Sequence, residues 1–328
     1  VTSGTSSQFL GTLANENGKW CWQKLARGTT GARPSSVSPS SRSRTSSSSS
    51  GSGSEDELYR TTAQNFLDKI NASDSTGAIG PSNYVEMVNQ QIGVYSRSLQ
   101  LLASSDNGAF MGAPAGLTVT DPQIQWDGQG GHWLYAALGV AQGANMLLFG
   151  WSKTPDPTDL VNGWCLFGTP RGQWLDDYPK LGHDDHFMSV GTNVYDDTGG
   201  VYTFKTANIF AIRKPQAGDA SCSVDTVLYV ADAANPLLNA DGSTAFTPVP
   251  ANSADASPNG YIVAAHSPVD GAGPSAPKIM VWHWASVGGT PTLVSDGDVA
   301  ISAFGIPAPV PQAGTTDVLD TLDARLTQ

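Results

Sequence analysis

The sequence predicts an all-β fold, a β-propeller of four-stranded blades, because a pair of apolar strands recurs four times. The first strand of each pair starts with a polar or aromatic residue and lies at residues 83–88, 132–138, 186–190 and 260–266. A second apolar strand follows each of them, at residues 92–95, 146–151, 208–213 and 278–284. The 36 glycines and 21 prolines of the 328 residues suit the tight turns between short strands. A strand pair that recurs on this scale is typical of propeller blades.

The spacing of the pairs sets the number of blades. Their first strands begin at residues 83, 132, 186 and 260, and blades commonly take about 40–50 residues. The last interval is longer, and we expect a polar inserted loop at residues 233–259. Residues 318–326 would start a fifth blade, so four to five blades are visible. Because propellers close with about 4–8 blades, we expect an incomplete ring whose C-terminal blades are missing.

The composition divides the chain into three parts. Residues 1–25 are predicted to be an isolated N-terminal segment, and residues 26–57 a Ser/Arg/Gly-rich disordered linker that cannot bury enough apolar surface to fold. Residues 58–328 would form the propeller domain, incomplete at its C-terminus. The N-terminus lacks the pattern of a signal peptide, so a signal has been removed or the chain is a fragment.

Charge and cysteine content limit the partners. The net charge of -12 argues against nucleic acid and anionic membranes, and no apolar run is long enough to span a bilayer. The three cysteines, Cys21, Cys165 and Cys222, show no metal-binding spacing. A Cys165–Cys222 disulfide would form in an oxidising compartment, but three thiols fit the spacing equally well.

Two polar motifs precede strands of the predicted blades. Residues 74–85 contain a glycine-rich turn in which Asp74 either bonds backbone amides or binds a cation with neighbouring carbonyls. Residues 121–127, followed by His132 and Trp133, predict a hairpin within one blade. Asp127 would form the turn of that hairpin.

The densest group of titratable residues lies at residues 176–186 and includes Asp176, Asp177, Lys180 and Asp184. One interpretation is an acid–base or cation site that faces the central channel. The other is a turn between blades, in which the aspartates cap amides and Lys180 pairs with a carboxylate.

Metal binding is not predicted within this group. His183 and His186 would point to opposite faces of a strand, so they could not share an ion without a turn between them. We therefore expect no cofactor and no metal site, apart from a structural Ca²⁺ held by loop carboxylates such as Asp196 and Asp197.

Four stretches together resemble a family of secreted bacterial β-propeller proteins of uncharacterised function. That family carries a D-T-N-G-A-V-G-P-N-H-Y-V opening, a D-P-x-V-x-Y-D…R-W blade, an S-x-T-x-D-P-T-G connector and a D-Y-P-K-L-G segment. The matching stretches here are residues 74–85, 121–133, 152–158 and 177–182. The resemblance implies a secreted or cell-surface propeller and brings no activity with it.

Two functions follow as expectations. The first is a binding or structural module that recognises a glycan or a protein through its blade-connecting loops, with Trp174, Tyr178, His183 and His186 as ligand-binding residues. The alternative is a glycoside hydrolase or lyase that uses paired carboxylates, with candidates Asp176, Asp177, Lys180, Asp184, Asp185 and Glu86. Hydrolysis needs two carboxylates about 5–10 Å apart across a pocket. Convergence of carboxylates from different blades would therefore favour the enzyme.

Overall fold

The computed structural model describes most of residues 74–302 and several shorter stretches before and after them. The described residues are 11–16, 19–24, 26–27, 29–31, 74–224, 227–257, 259–266, 277–287, 290–302, 308–311, 313–314, 316, 318–319 and 325–326. Nearly all of the regular structure within these ranges is β-strand.

Short N-terminal strands join the outer edges of three blades. They are β1 (Gly11–Glu16), β2 (Lys19–Lys24), β3 (Ala26–Arg27) and β4 (Thr29–Gly31). β1 pairs antiparallel with the outer strand of the second blade, and β2 pairs with β1. β3 and β4 pair in parallel with strands of the third and fourth blades. Residues 32–73, which hold most of the predicted linker, lie outside the described residues, and the predicted domain boundaries stay a prediction.

Each blade is an antiparallel unit of four strands, and the N-terminal strands extend three of these units into larger sheets. Blade 1 comprises β5 (Thr76–Ile79), β6 (Asn83–Val88), β7 (Gln91–Ser96) and β8 (Leu101–Asp106). After the short helix α1 (Asn107–Phe110), blade 2 comprises β9 (Thr118–Asp127), β10 (His132–Val140), β11 (Asn145–Ser152) and β12 (Trp164–Gly172). Blade 3 comprises β13 (Trp174–His183), β14 (Phe187–Thr198), β15 (Val201–Arg213) and β16 (Val227–Tyr229). Blade 4 comprises β17 (Val249–Pro250), β18 (Tyr261–Ala265), β19 (Lys278–Val287) and β20 (Thr290–Ala300).

The first strands of successive blades lie side by side. β5 packs against β9, β9 against β13, and β13 against β17. Neighbouring first strands around a common centre define the inner ring of a propeller. The predicted all-β propeller of four-stranded blades is therefore confirmed, and the four described blades are consistent with an incomplete ring. Beyond them, β21 (Val310–Pro311) and β22 (Val318–Leu319) form a small hairpin.

The recurring strand pair of the sequence corresponds to the second and third strands of each blade. The first strands of the predicted pairs coincide with β6, β10, β14 and β18, which are the second strands of their blades. The second strands of the pairs coincide with β7, β11, β15 and β19, the third strands of the blades. The stretch from Trp174 to His183 forms the inner strand β13, so its interpretation as a turn between blades is wrong. Likewise, the predicted inserted loop at residues 233–259 contains the inner strand β17.

Aromatic side chains fill the spaces between the blades. Trp133, Trp151 and Trp284 are each at most 2 % exposed. Phe149 and Phe167 stack with ring centroids 5.6 Å apart within the core between blades 2 and 3. A disulfide between Cys165 of β12 and Cys222, in the segment after β15, links these two blades covalently.

Candidate functional site

Backbone strain recurs at the inner strand of each blade. Non-glycine residues with positive φ occur at Asp74 (36°), Asp121 (50°), Tyr178 (55°) and Thr247 (48°), one in or just before the inner strand of each blade. A non-glycine residue in this region is uncommon, and such strain concentrates at functional sites. Four neighbouring inner strands therefore share an unusual backbone conformation.

β-bulges accompany the strain in blades 2 and 3. The register between β9 and β10 shifts across Asp121 and Pro122, and that between β13 and β14 shifts across Tyr178 and Pro179. A bulge adds one residue to its strand and changes the direction of the side chains that follow. Asp177 and Lys180 are three residues apart and would otherwise face opposite ways, but the extra residue lets them share a face.

Three carboxylates from three blades come together at this end of the ring. We call Asp74, Asp121 and Asp177 the carboxylate cluster. Asp74 and Asp177 are both close enough to Asp121 to raise its pKa, and Asp74 also raises the pKa of Asp177. Lys180 lies within the electrostatic reach of all three. The cluster thus combines charges that are 47 and 56 residues apart in the sequence.

A buried asparagine ties two members of the cluster together. Asn89 Nδ2 donates to Asp74 Oδ2 at 2.5 Å, and Asn89 Oδ1 accepts from the Asp121 backbone N–H at 2.8 Å. The Thr120 hydroxyl lies 2.9 Å from both Asn89 Oδ1 and Asp121 Oδ1. Blade 1 therefore holds the strained residue of blade 2 in place.

Burial and crowding shift the protonation of the cluster. Burial raises the pKa of Asp121 to about 6; the Thr120 hydrogen bond and Lys180 oppose the rise, and Asp177 and Asp74 add to it. Burial also raises the pKa of Asp177, against the backbone N–H of Tyr178 and the charge of Arg325. Burial lowers the pKa of Lys180, although the nearby carboxylates favour its charged form. Asp121 is therefore a carboxyl group that exchanges its proton near neutral pH.

Cations and aromatic rings border the cluster. The Lys180 ammonium lies 3.7 Å from the centre of the Tyr178 ring, and the Arg325 guanidinium lies 4.7 Å from the same ring. Arg325 also lies 4.9 Å from the ring of Phe246, just before β17 of blade 4. Such cation–π contacts hold the positive charges next to the carboxylates.

The predicted catalytic residues separate into two groups. Asp177 belongs to the carboxylate cluster, and Lys180 borders it. Asp176 faces the other side of β13, where it binds Arg171 Nε and accepts a hydrogen bond from the Thr192 hydroxyl at 3.0 Å. Asp184 accepts backbone N–H groups from His186 and Phe187 at 2.7 and 2.8 Å and forms the turn after β13. Asp185 accepts the N–H of Ser257 at 2.9 Å, and Glu86 is buried in blade 1.

The predicted ligand-binding residues are likewise dispersed. Tyr178 borders the cluster, whereas Trp174 is half-buried at the first position of β13, four residues before Tyr178. His183 is buried, with Nδ1 3.8 Å from Asp127 Oδ1, and burial lowers the pKa of its imidazole. His186 is exposed in the turn, so the structure does not bring the two histidines to one ion.

Asp127 forms the turn after β9, as the sequence suggested, and also a buried ion pair. It accepts the N–H groups of Gln129 and Gly130 and binds the Lys214 ammonium at 2.5 Å. Burial alone would raise the pKa of Asp127, but these donors hold it below its usual value.

The two aspartates expected to hold a structural Ca²⁺ each accept a hydrogen bond, and the ion stays a prediction. Asp196 Oδ1 accepts the Thr198 N–H at 3.0 Å, and Asp197 Oδ2 accepts Asn145 Nδ2 at 3.4 Å. Among the described residues, a donor set with the spacing of a metal site lies on blade 4, formed by Asp241, His266 and Asp298.

Sequence reasoning missed Asp121 as a site residue and assigned Asp74 either to a turn or to a cation site. A signal was present: Asp121-Pro122, Tyr178-Pro179 and Thr247-Pro248 repeat an X-Pro pair at the strained position of three blades. Proline restricts the residue before it, so this repeat marks the inner strand.

No protein-family model and no curated protein matches the chain. Solved structures that resemble it include three arabinanases. An α-L-arabinanase mutant from Cellvibrio cellulosa is 12 % identical with a TM-score of 0.31, and the match covers 65 % of this chain and 70 % of that one. An exo-1,5-α-L-arabinanase from a bovine ruminal metagenomic library is 12 % identical with a TM-score of 0.34 (72 % and 81 % covered). A Bacillus subtilis arabinanase is 12 % identical with a TM-score of 0.33 (74 % and 84 % covered).

No helix within the described ranges is long and apolar enough to cross a membrane. The acidic composition and the carboxylate cluster also give no basis for nucleic-acid binding. The functional assignment therefore depends on the geometry of the cluster itself.

Proposed function

We propose that the protein is a carbohydrate-active enzyme that hydrolyses a neutral glycan at the carboxylate cluster. The observation that carries the proposal is the convergence of Asp74, Asp121 and Asp177 from the inner strands of three blades. Glycoside hydrolysis requires one carboxyl group that holds a proton and another that is ionised, on a shared site. This cluster supplies both from rigid strands.

Asp121 is the proposed general acid. Its pKa of about 6 lets a useful fraction of the group stay protonated near neutral pH. Asp177 assists by raising the pKa of Asp121, since two nearby carboxylates resist simultaneous ionisation. Asp74 is exposed and held by Asn89, so we assign it the role of general base.

The proposed reaction uses one water molecule. Asp121 donates its proton to the glycosidic oxygen as the bond from that oxygen to the anomeric carbon breaks. Water attacks the anomeric carbon and loses a proton to Asp74. The products are two shorter sugars, and proton exchange with solvent restores both carboxyl groups.

The charge of the site favours a neutral substrate. A polyuronate would bring carboxylates next to three others, on a chain whose net charge is -12. Like charges at this range repel and slow association. This argues against a uronate lyase, although Lys180 and Arg325 partly neutralise the site.

A binding module is the second candidate. The Asn89 network already satisfies part of Asp74 and Asp121, and the same groups could accept sugar hydroxyls without cleaving a bond. Export fits both candidates, because the Cys165–Cys222 disulfide would persist in an oxidising compartment.

The decisive experiment measures release of reducing ends from a panel of neutral polysaccharides (arabinan, xylan, galactan and β-glucan), with polygalacturonate as the anionic comparison. We expect Asp121→Asn to lower the rate on the best substrate by about 10²-fold or more, since a general acid contributes about 10²–10⁴-fold. Asp156→Asn, in an exposed turn outside the cluster, should leave the rate unchanged.

The pH profile adds a second readout. The acid must be protonated, so the rate should fall as the pH rises above about 6, the pKa of Asp121. A neutral glycan that binds with no turnover at any pH would favour the binding module. A rate that survives Asp121→Asn would refute the assigned acid.

A further inference from the structure

We propose that blade 4 carries a binding site for a divalent transition-metal ion of the zinc type, held by His266 and Asp241. This site is separate from the carboxylate cluster and does not depend on the proposed hydrolysis. Asp241, His266 and Asp298 each direct a ligand atom to within 4.8 Å of the others.

His266 is held in an orientation that suits a metal ligand. Its side chain is only 2 % exposed, and Nε2 lies 2.8 Å from Asp298 Oδ1. A carboxylate at this distance accepts a hydrogen bond from Nε2–H, so Nδ1 is the ring nitrogen directed towards Asp241. Carboxylates orient metal-binding histidines in this way.

The other ring nitrogen has no hydrogen-bond partner among the described residues. Nδ1 of His266 is buried there, and it faces Asp241 Oδ2 at 3.4 Å. A buried polar atom without a partner is costly, and a bound ion would satisfy it. Two ligands that bind zinc at about 2.0–2.1 Å with tetrahedral angles are separated by about 3.3–3.4 Å. The separation of Nδ1 and Oδ2 therefore matches two ligands of one ion.

Asp241 is fixed by its own loop. Its Oδ1 accepts the Ser243 N–H at 3.0 Å and the Ser243 hydroxyl at 2.6 Å, so Oδ2 is directed to His266. The side chain is 41 % exposed, which allows an ion to enter from solvent and water to complete its coordination.

The donor types select the metal. An imidazole nitrogen with a carboxylate suits zinc and related ions, whereas calcium takes oxygen ligands. Asp298 is occupied by Nε2 of His266 and by the Lys278 ammonium, 3.2 Å from its Oδ2. It therefore supports the histidine and leaves Asp241 as the direct carboxylate ligand.

The ion would connect two separate parts of blade 4. Asp241 belongs to the loop before the inner strand β17, and His266 follows the end of β18. Because zinc would bind only the folded blade, it should raise the midpoint of thermal unfolding of the blade.

Calorimetric titration of the chelator-treated chain with zinc chloride tests the proposal. We expect one ion per chain, lost in His266→Gln and weakened at least tenfold in Asp241→Asn. Asp298→Asn should weaken binding about 10–100-fold, the usual effect of removing a partner of a metal-binding histidine. The matched control is His283→Gln, because His283 Nδ1 also contacts a carboxylate of blade 4, Asp296 Oδ2 at 2.7 Å.

Two results would overturn the site: no zinc binding to the unaltered chain, or binding that survives both His266→Gln and Asp241→Asn. Asp241 is on the surface, so its variant keeps the test valid if His266→Gln does not fold. Nitrogen NMR of the imidazole gives an independent readout. Zinc should shift the resonance of Nδ1 of His266, and a resonance that zinc leaves unchanged would refute the proposal.

Discussion

Asp176 and Asp177 are adjacent in the sequence but face opposite sides of β13. Asp176 is buried against Arg171 and Thr192, whereas Asp177 is half-buried and joins the carboxylate cluster. The alternation of side chains along a strand separates the two roles. The sequence shows two carboxylates at this position, and the strand direction decides which one can reach a substrate.

This separation predicts that two similar substitutions change the free energy of unfolding by very different amounts. Asp176→Asn should lower the free energy of unfolding by about 3–5 kcal/mol, because it leaves the buried Arg171 charge without its partner. Asp177→Asn should change it by less than about 1 kcal/mol, since the carboxylate is crowded by like charges. Urea denaturation measures both. Equal losses of stability would contradict the assigned roles.

Asparagines hold the strained ends of the inner strands from the neighbouring blade. Asn89 follows β6 and binds the Asp121 N–H of blade 2. Asn193, in β14, accepts the Thr247 N–H at 2.7 Å and donates to the Thr247 hydroxyl at 2.8 Å in blade 4. Both contacts cross from one blade to the next, so the strained conformation is a property of paired blades.

The two asparagines provide a matched pair for the next prediction. Asn89→Ala and Asn193→Ala should each lower the free energy of unfolding by about 1–3 kcal/mol, because buried backbone N–H groups lose their acceptors. Only Asn89→Ala should also lower hydrolysis, by about tenfold or more, since Asp74 and Asp121 lose a shared partner. Denaturation and rate assays on both variants measure this. Equal hydrolysis rates for Asn89→Ala and Asn193→Ala would indicate that Asn89 has only a structural role.

The second and third strands of the blades could be predicted from the sequence, and so could β9 as part of the hairpin at residues 121–133, whereas the other inner strands could not. The apolar runs in β10 and β11 are almost wholly buried, and such runs are strong signals. β13 contains proline and two aspartates, and β17 contains proline, and these residues usually indicate turns. The cluster was missed for another reason: Asp74, Asp121 and Asp177 belong to three blades, and the sequence does not show which side chains of separate blades meet.

At the scale of the whole molecule, blades 2 and 3 are joined by the Cys165–Cys222 disulfide as well as by packing. The two cysteines are 57 residues apart, and a loop of that length corresponds to about 4 kcal/mol in the chain-entropy account. The blades that supply Asp121 and Asp177 are therefore connected covalently.

Reduction of this bond should lower the midpoint of thermal unfolding, and Cys222→Ser should reproduce the effect. The variant should then respond no further to reductant, which serves as the control. Differential scanning calorimetry with and without reductant provides the measurement. A midpoint that reduction leaves unchanged would show that the packing of blades 2 and 3 suffices.

The origin of the cluster in three blades has a consequence for the order of folding. A blade that folds alone carries one of the three carboxylates, so it meets no repulsion from the other two. The electrostatic cost arises only when Asp74, Asp121 and Asp177 approach as the blades dock. Individual blades can therefore form early without opposing charge, and the raised pKa of Asp121 arises only once blades 1, 2 and 3 have docked.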